Sequence, residues 1–532
     1  MADTLMSLPH EKIRVGEYLW YWAKHKPDTE AAMLGDQRYT YGALADMVER
    51  CAKALLSAGV RKGDRIAMLT TPRPEFMAVL LATTEIGAIW VGLHPRYQMA
   101  EFRYVVDQVR PRIIVVLPEI DGRRYDKEMS TLRSEFDCIE SLIAFGGELE
   151  GATPLQSFLE TGGGKEAALV AAQSAVSADD TAVIIFTSGT TGRPKGAMIR
   201  HYGLIRGAYV ENDHWPSKQG PRVLHNMPTN HIAGVGMMGV YPIVVGGTLV
   251  FMDRFDPAAM LQVIERERVT FWLQAPTMFH LAITQPDFGR YNLSSLEYII
   301  WAGSAMPRDL VARLHELPGT LATAFGMTEL TVYATYSDLD ADFEVLANTI
   351  GRPEPRYEIR VADEHGNSVK PEQQGEIQAR GRWLMNGYFN NPDVTREAFT
   401  TDGWFKTGDV AILREDGNLS IVGRIKEMYI SGGYNIYPRE IEIAIESHGA
   451  VAAAAVIGVP DTVYGEVGHA FVQPEPDSSV SEGEINAWCR DRLANYKVPK
   501  TIEIRKELAR LPIGKIDKQA LKVEFEARRG TN

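Results

Sequence analysis

The chain has 532 residues with 56 Lys and Arg against 69 Asp and Glu, a net charge of −13, and 45% hydrophobic content. That length exceeds one ordinary core, so two or more domains are expected, and the acidic balance argues against nucleic acid as a partner. Cys51, Cys138 and Cys489 are too few and too scattered for a disulfide framework or a metal knuckle, which fits a reducing compartment. Met1–Arg14 has no apolar stretch, so no signal peptide is expected. The run Phe76–Leu93 is broken by Glu85 and Gly87, so no transmembrane segment is expected and the default location is cytoplasmic.

Apolar residues recur at helical spacing over Tyr41–Ala58, and Arg65–Leu69 reads as a short strand. A helix over Pro74–Ile86, a strand over Ala88–Leu93, a helix over Met99–Val109 and a strand over Arg112–Leu117 follow. This alternation predicts doubly wound α/β packing. Residues 145–180, with Gly162–Gly164 and an alanine-rich tract, read as a mobile connection. The apolar run Ala182–Phe186 then reads as a strand that feeds a loop, Thr187–Gly196. Gly189, Gly192 and Gly196 let that backbone turn sharply. Thr187, Ser188, Thr190 and Thr191 supply hydroxyls, and Arg193 and Lys195 supply positive charge, a set suited to polyphosphate. It is not a Walker A loop, because Lys195 is followed by glycine and the four-residue spacer is missing.

The spelling Thr187-Ser-Gly-Thr-Thr-Gly-Arg-Pro-Lys-Gly196 resembles the phosphate loop of the adenylate-forming enzymes, which include acyl-CoA synthetases, adenylation domains and firefly-type luciferases. Further segments match that family in its order. Phe325-Gly-Met-Thr-Glu329 is similar to its Tyr-Gly-x-Thr-Glu motif, with Phe325 in place of the usual tyrosine. The resemblance implies that Phe325, Gly326 and Met327 lie against adenine, where stacking contributes roughly 1–3 kcal/mol. It also implies that Thr328 bonds the α-phosphate and that Glu329 binds Mg²⁺, as a hard oxygen ligand suits. Upstream, Trp301–Pro307 resembles the small-residue adenine loop, implicating Gly303, Ser304 and Ala305.

Thr407-Gly-Asp409 is a plain turn in most sequences, but Arg424 follows fifteen residues later, as in the family. The resemblance implies that Asp409 and Arg424 hold the ribose hydroxyls, since a carboxylate accepts two hydrogen bonds. Gly423–Pro438 resembles the hinge segment, with Lys426 at the hinge and Gly432 and Gly433 where pantetheine passes along bare backbone. A Gly-Gly hairpin turn is compatible with that reading. Leu511-Pro-Ile-Gly-Lys515 looks like the catalytic-lysine motif, and Met227–Gly234 resembles the segment whose histidine, here His231, lies beside the acyl carboxylate.

One rival motif is Gly234-Val-Gly-Met-Met-Gly239 with Asp253 behind the strand Thr248–Met252, the spelling of a dinucleotide site. Only Val240–Val245 separates it from the next Gly-Gly, too short for a crossover helix, so these residues read as the lining of an open, apolar acyl pocket. Trp301 and Leu330–Tyr333 are expected to line it too, with Trp301 reshaping it.

The resemblance therefore implies a large N-terminal part, residues 1–425, of doubly wound α/β layers plus a β-rich subdomain that begins near Glu358. A small mobile α+β C-terminal part, residues 426–532, carries the catalytic lysine. The implied activity joins a carboxylic acid (medium-chain fatty, aromatic or alicyclic) to CoA through an acyl-adenylate, using ATP, Mg²⁺ and CoA and releasing AMP and pyrophosphate. Alternatives are a stand-alone enzyme that loads a carrier protein, a luciferase-like oxygenase, or, from residues 234–239 alone, a nicotinamide oxidoreductase. A homodimer is among the expectations.

Overall fold

The computed structural model describes residues 11–187, 194–217, 219–303, 306–476, 478–511 and 515–529. The predicted early elements form as helices Tyr41–Ser57, Pro74–Glu85 and Met99–Val109 and strands Arg65–Leu69, Ile89–Leu93 and Ile113–Val116. Local chemistry sets their ends. Thr40 accepts a hydrogen bond from the Ala43 N–H at 3.2 Å and so caps the first of these helices, and proline opens the second.

The strands assemble into two large sheets. One orders Lys195–Arg200, Thr181–Thr187, Ile89–Leu93, Arg65–Leu69, Ile113–Val116, Ser141–Ala144 and Thr153–Pro154. The other has nine strands and includes, as parallel neighbours, Arg222–His225, Phe271–Gln274, Tyr298–Ala302 and Thr320–Gly326. Helices cover both faces of this second sheet, and alternation along each strand divides the side chains between two cores. Tyr298 and Ile300 enter the larger core, whereas Ile299 and Trp301 enter a separate one with Trp272, Phe279 and Leu310. Trp301 thus points away from the face that carries residues 235–241 and 330–336, and it does not reshape a pocket there.

Residues 145–180 are ordered structure, contrary to expectation. The alanine-rich tract is the helix Glu166–Ser174, as its composition favours. It docks through Gln173, which donates to the buried Glu85 carboxylate at 2.8 Å beside Arg14 and Trp20. The crossover helix judged too short also exists. Ala233–Val240 is a π-helical segment that continues into helix Tyr241–Val245, together joining parallel strands Arg222–His225 and Thr248–Phe251. The dinucleotide reading still fails, because these glycines lie inside the helix and not in the turn before it. Gly234 and Gly239 face backbone and not open space, since a Cβ on Gly234 would stand 2.4 Å from Pro228 O and one on Gly239 2.7 Å from Gly234 O, whereas a Cβ on Gly236 would meet nothing nearer than 3.6 Å.

Helix His201–His214 rides close on the segment after Thr328, since a Cβ on Gly207 would lie 1.9 Å from Val332 Cγ1. Gly207→Ala is expected to destabilise the protein by about 1–3 kcal/mol through overpacking. Urea denaturation checks this, and an unchanged midpoint would mean that the helix is not seated there.

From Glu358 the chain forms an antiparallel sheet of Glu358–Ala362, Gln374–Arg380, Phe405–Leu413 and Leu419–Arg424. Residues from Tyr429 onward build their own sheet around the long pair Val451–Asp461 and Gly465–Pro474, with a core of Tyr429, Ile441, Ile445, Val456, Val472 and Ile485. No helix among the described residues is long and apolar enough to cross a membrane.

Candidate active site

Strand Thr181–Thr187 delivers Thr187 to the site, and Lys195 stands opposite it in the antiparallel register. The Thr187 hydroxyl donates to Glu329 Oε1 at 3.2 Å, and the Tyr388 hydroxyl donates to the same oxygen at 2.9 Å. Lys195 Nζ sits 5.3 Å from the Tyr388 ring centroid. Glu329 and Thr328 are buried in a short 3₁₀ turn. The next residues hold that turn under strain: Thr331 has φ 64 and ψ −40, and Val332 N–H donates to Leu330 O at 2.7 Å, which makes a γ-turn. A β-branched residue at positive φ costs about 1–3 kcal/mol and is found where surrounding packing dictates the geometry. Ser188, Gly189, Thr190, Thr191 and Gly192 of the expected phosphate loop, and Ser304 and Ala305 of the adenine loop, lie outside the described residues.

Asp409 and Arg424 face each other across neighbouring strands, which explains their spacing: a hairpin brings them into register. Arg424 Nε donates to Asp409 Oδ1 at 2.7 Å, and a second guanidinium nitrogen lies 3.4 Å from Oδ2. Gly408, at φ 74, occupies a left-handed position just before Asp409, and its N–H donates to Glu376. Phe325 ends strand Thr320–Gly326, half-buried, with its N–H bonded to the Thr335 hydroxyl. A side chain on Gly326 would strike Val332 O at 2.5 Å, and Met327 accepts from Leu330 N–H to start the turn that holds Thr328 and Glu329.

Lys515 belongs to a hairpin in which Arg510 bridges Ile516 and Leu511 N–H donates to Lys515 O at 2.7 Å. Three residues on, Lys518 is anchored by Glu427 and by Glu442 at 2.7 Å, and Arg510 reaches across to the Thr277 hydroxyl at 3.2 Å. These anchors deliver the Lys515 ammonium above Gly303, so that a Cβ there would lie 3.7 Å from Nζ. Burial, with help from Arg424, pulls the Lys515 ammonium down to about 8, against the opposing pull of Asp409 and Glu427. His231 lies in reach of that charge. Burial first, then Lys515 and His94, lower it to about 4, so the ring is neutral near pH 7. Its Nδ1 accepts from Ala233 N–H at 3.2 Å, which leaves the proton on Nε2, free to donate. Lys426, placed at the hinge by sequence, is also held below the ordinary lysine range, chiefly by burial and then by Lys195 and Arg424. Lys195, Arg424, Lys426 and Lys515 thus bring mutually repelling positive charge to one place, next to only a few carboxylates. Such a site favours a polyanion.

Among the described residues, no group of three or more His, Cys, Asp and Glu side chains gathers into a metal cage. Glu329 with the neighbouring hydroxyls suits a magnesium ion that keeps its waters and arrives on phosphates, which needs few protein ligands. Gly432 and Gly433 close the hairpin between Tyr429–Ser431 and Tyr434–Ile436, both at positive φ, with Tyr464 beside Gly432. Sequence reasoning missed Tyr388 and Arg510. The only local signal for Tyr388 is the Asn386-Gly-Tyr turn, whose Gly387 O accepts from Met198 N–H on the strand that begins at Lys195.

Comparison with known proteins shows the family. The model for "AMP-binding enzyme" matches residues 19–389, and that for "AMP-binding enzyme C-terminal domain" matches 440–515. A feruloyl-CoA synthase of Amycolatopsis sp is 34% identical over 506 residues, covering 94% of this chain and 97% of that one. A (7a-methyl-1,5-dioxo-octahydro-1H-inden-4-yl)propanoyl:CoA ligase of Rhodococcus jostii is 35% identical over 497 residues, covering 92% and 94%. The structure of o-succinylbenzoate CoA synthetase from Bacillus subtilis, in complex with its acyl-adenylate intermediate, superposes with TM-score 0.80 at 27% identity, covering 95% and 97%.

Proposed function

The chain belongs to the AMP-binding enzyme family, and from that premise we propose that it is an ATP-dependent carboxylic acid–CoA ligase. In the first half-reaction a carboxylate oxygen attacks the α-phosphorus of ATP, the bond to the β-phosphate oxygen breaks, and an acyl-adenylate and pyrophosphate result. In the second, the CoA thiol attacks the acyl carbon, loses its proton and expels AMP.

The observation that carries this reading is the delivery of Lys515, from a hairpin near the C-terminus, to a site that already holds Asp409, Arg424, Gly303 and His231. An ammonium there neutralises charge that grows between carboxylate and α-phosphate, and such prearranged donors work with little reorganisation. In this reading Thr328 bonds the α-phosphate. Thr187, Ser188, Gly189, Thr190, Thr191, Gly192 and Lys195 hold the β- and γ-phosphates. Gly303, Ser304, Ala305, Phe325, Gly326 and Met327 form the adenine site, and Asp409 with Arg424 holds the ribose. Glu329 takes the Mg²⁺ that accompanies ATP, an ion that supplies charge neutralisation on the phosphates. His231 donates Nε2–H to the acid's carboxylate and orients it.

The part from residue 426 acts as a mobile lid. Once adenylate has formed, rotation near Lys426 withdraws Lys515 and turns the Gly432–Gly433 hairpin toward the pantetheine arm, whose close approach two bare glycines allow. The relatives named for feruloyl and alicyclic propanoyl groups support an acid with an aromatic or alicyclic body over a short chain.

Exchange of labelled pyrophosphate into ATP, run with a panel of such acids and followed by addition of CoA or a phosphopantetheinylated carrier protein, tests the proposal. Acid-dependent exchange and CoA thioester are the expected results. Exchange without thioester to CoA, but with loading of the carrier, would replace CoA as acceptor.

A further inference from the structure

Helix His201–His214 presents Gly203, Gly207 and Glu211 along one face, one turn apart. The two glycines bring that face against the strained turn after Glu329: a Cβ on Gly203 would lie 2.9 Å from Thr331 Cγ2. One turn further on, Glu211 is 2% exposed, and its carboxyl has no hydrogen bond or ion pair among the described residues. Its carboxyl lies within electrostatic reach of Tyr241, Tyr333, Tyr336 and Tyr357. Around it, Tyr241 Oη, Tyr336 Oη, Tyr357 Oη and Trp215 Nε1 are buried without hydrogen-bond partners, and Trp215 packs edge-on against Tyr333 and Tyr336. Buried polar atoms are normally paired, so four such atoms near a carboxyl that itself has no bond call for a ligand that completes them.

The position fits the reacting end of the molecule. Tyr241 directly follows the π-helical segment that begins beside His231. Nine residues, 232–240, separate them, about 10–15 Å at helical rise, which matches an acid with one ring and a short chain. The ends of that segment would then face the two ends of the acid. Burial pushes the Glu211 carboxyl up to about 8, so near neutral pH it carries a proton and can both donate and accept.

We propose that Glu211, with Tyr241 and Tyr336, forms a polar far wall of the acyl pocket and selects acids that carry a hydroxyl at the end remote from the carboxylate. This rests on the acid–CoA ligase reading above and adds the substrate class to it.

Pyrophosphate release with matched pairs of acids tests it: benzoate, cinnamate and phenylpropanoate, each with and without a para-hydroxyl, on wild type, Glu211→Gln and Glu211→Leu. A site built around a hydroxyl rejects the analogue that lacks it, so wild type should favour the hydroxylated member of its best pair by about 10²-fold or more in kcat/KM. Glu211→Leu should cut that ratio below about tenfold with the ATP KM unchanged, and Glu211→Gln should keep part of it. A partnerless buried carboxyl contributes no stability, so the Tm of Glu211→Leu should equal or exceed that of wild type. Equal ratios in wild type and Glu211→Leu, or a lower Tm with proportional loss on both members of a pair, would overturn the assignment while leaving the ligase reading intact. No pyrophosphate release with any acid would overturn both.

Discussion

Lys515→Ala is expected to lower acyl-adenylate formation by about 10²–10³-fold, the cost of removing one prearranged donor from a charge-developing centre. Thioester formation from a supplied acyl-adenylate should stay within a few-fold of wild type, because in that step the lysine is proposed to have left the site. The asymmetry is the point of the experiment. A substitution that merely loosened the C-terminal sheet would slow both halves, and equal losses would remove the role given to Lys515. The hairpin is independently anchored by Lys518 on Glu427 and Glu442, so alanine at 515 should fold normally.

The same residue predicts a pH dependence. Burial and Arg424 lower its ammonium to about 8 in the free protein, and the protonated form is the active one. The kcat/KM for adenylation should therefore fall as pH rises through about 8, since that parameter reports the free enzyme. Bound triphosphate favours the ammonium and should move the limb in kcat to higher pH. Pyrophosphate release at saturating and limiting ATP, over pH 6 to 10, measures both. An alkaline limb at the same pH in both parameters would mean that the lysine does not meet the phosphates.

Asp409→Ala should raise the ATP KM by about 10–100-fold, since hydrogen bonds to a charged group contribute roughly 1.5–3 kcal/mol. Stability should change little. Arg424, the partner left behind, is half exposed, and pairs of that kind contribute at most about 1 kcal/mol. Asp409→Asn, which retains one acceptor, should lie between the two. The measurement is initial velocity against ATP at saturating acid, with a denaturation curve as control. An unaltered ATP KM would count against the ribose assignment.

Much of the fold was legible locally. Strands such as Arg65–Leu69 and helices such as Met99–Val109 follow from period and caps over five to eleven residues, within one element. The helix Glu166–Ser174 was hidden because glycines precede it and its docking partners, Glu85 and Lys53, lie far off in sequence. The π-helical stretch was misjudged because glycine reads as a breaker, whereas here it lets backbone approach backbone.

By itself the sequence determined the inventory of chemistry. Motif spellings and order name Thr328, Glu329, Asp409, Arg424 and Lys515 because short spacings constrain which groups share a loop or a hairpin, as with Asp409 and Arg424. Only the tertiary structure decided which way each side chain faces and what it meets. Strand register sent Trp301 into the second core, the Asn386-Gly-Tyr turn brought Tyr388 to Glu329 from 59 residues away, and two glycines seated the helix that carries Glu211 against Thr331 and Val332. The physical reason is that a side chain's direction depends on the sheet or helix it packs against, a long-range choice that local spacing does not encode.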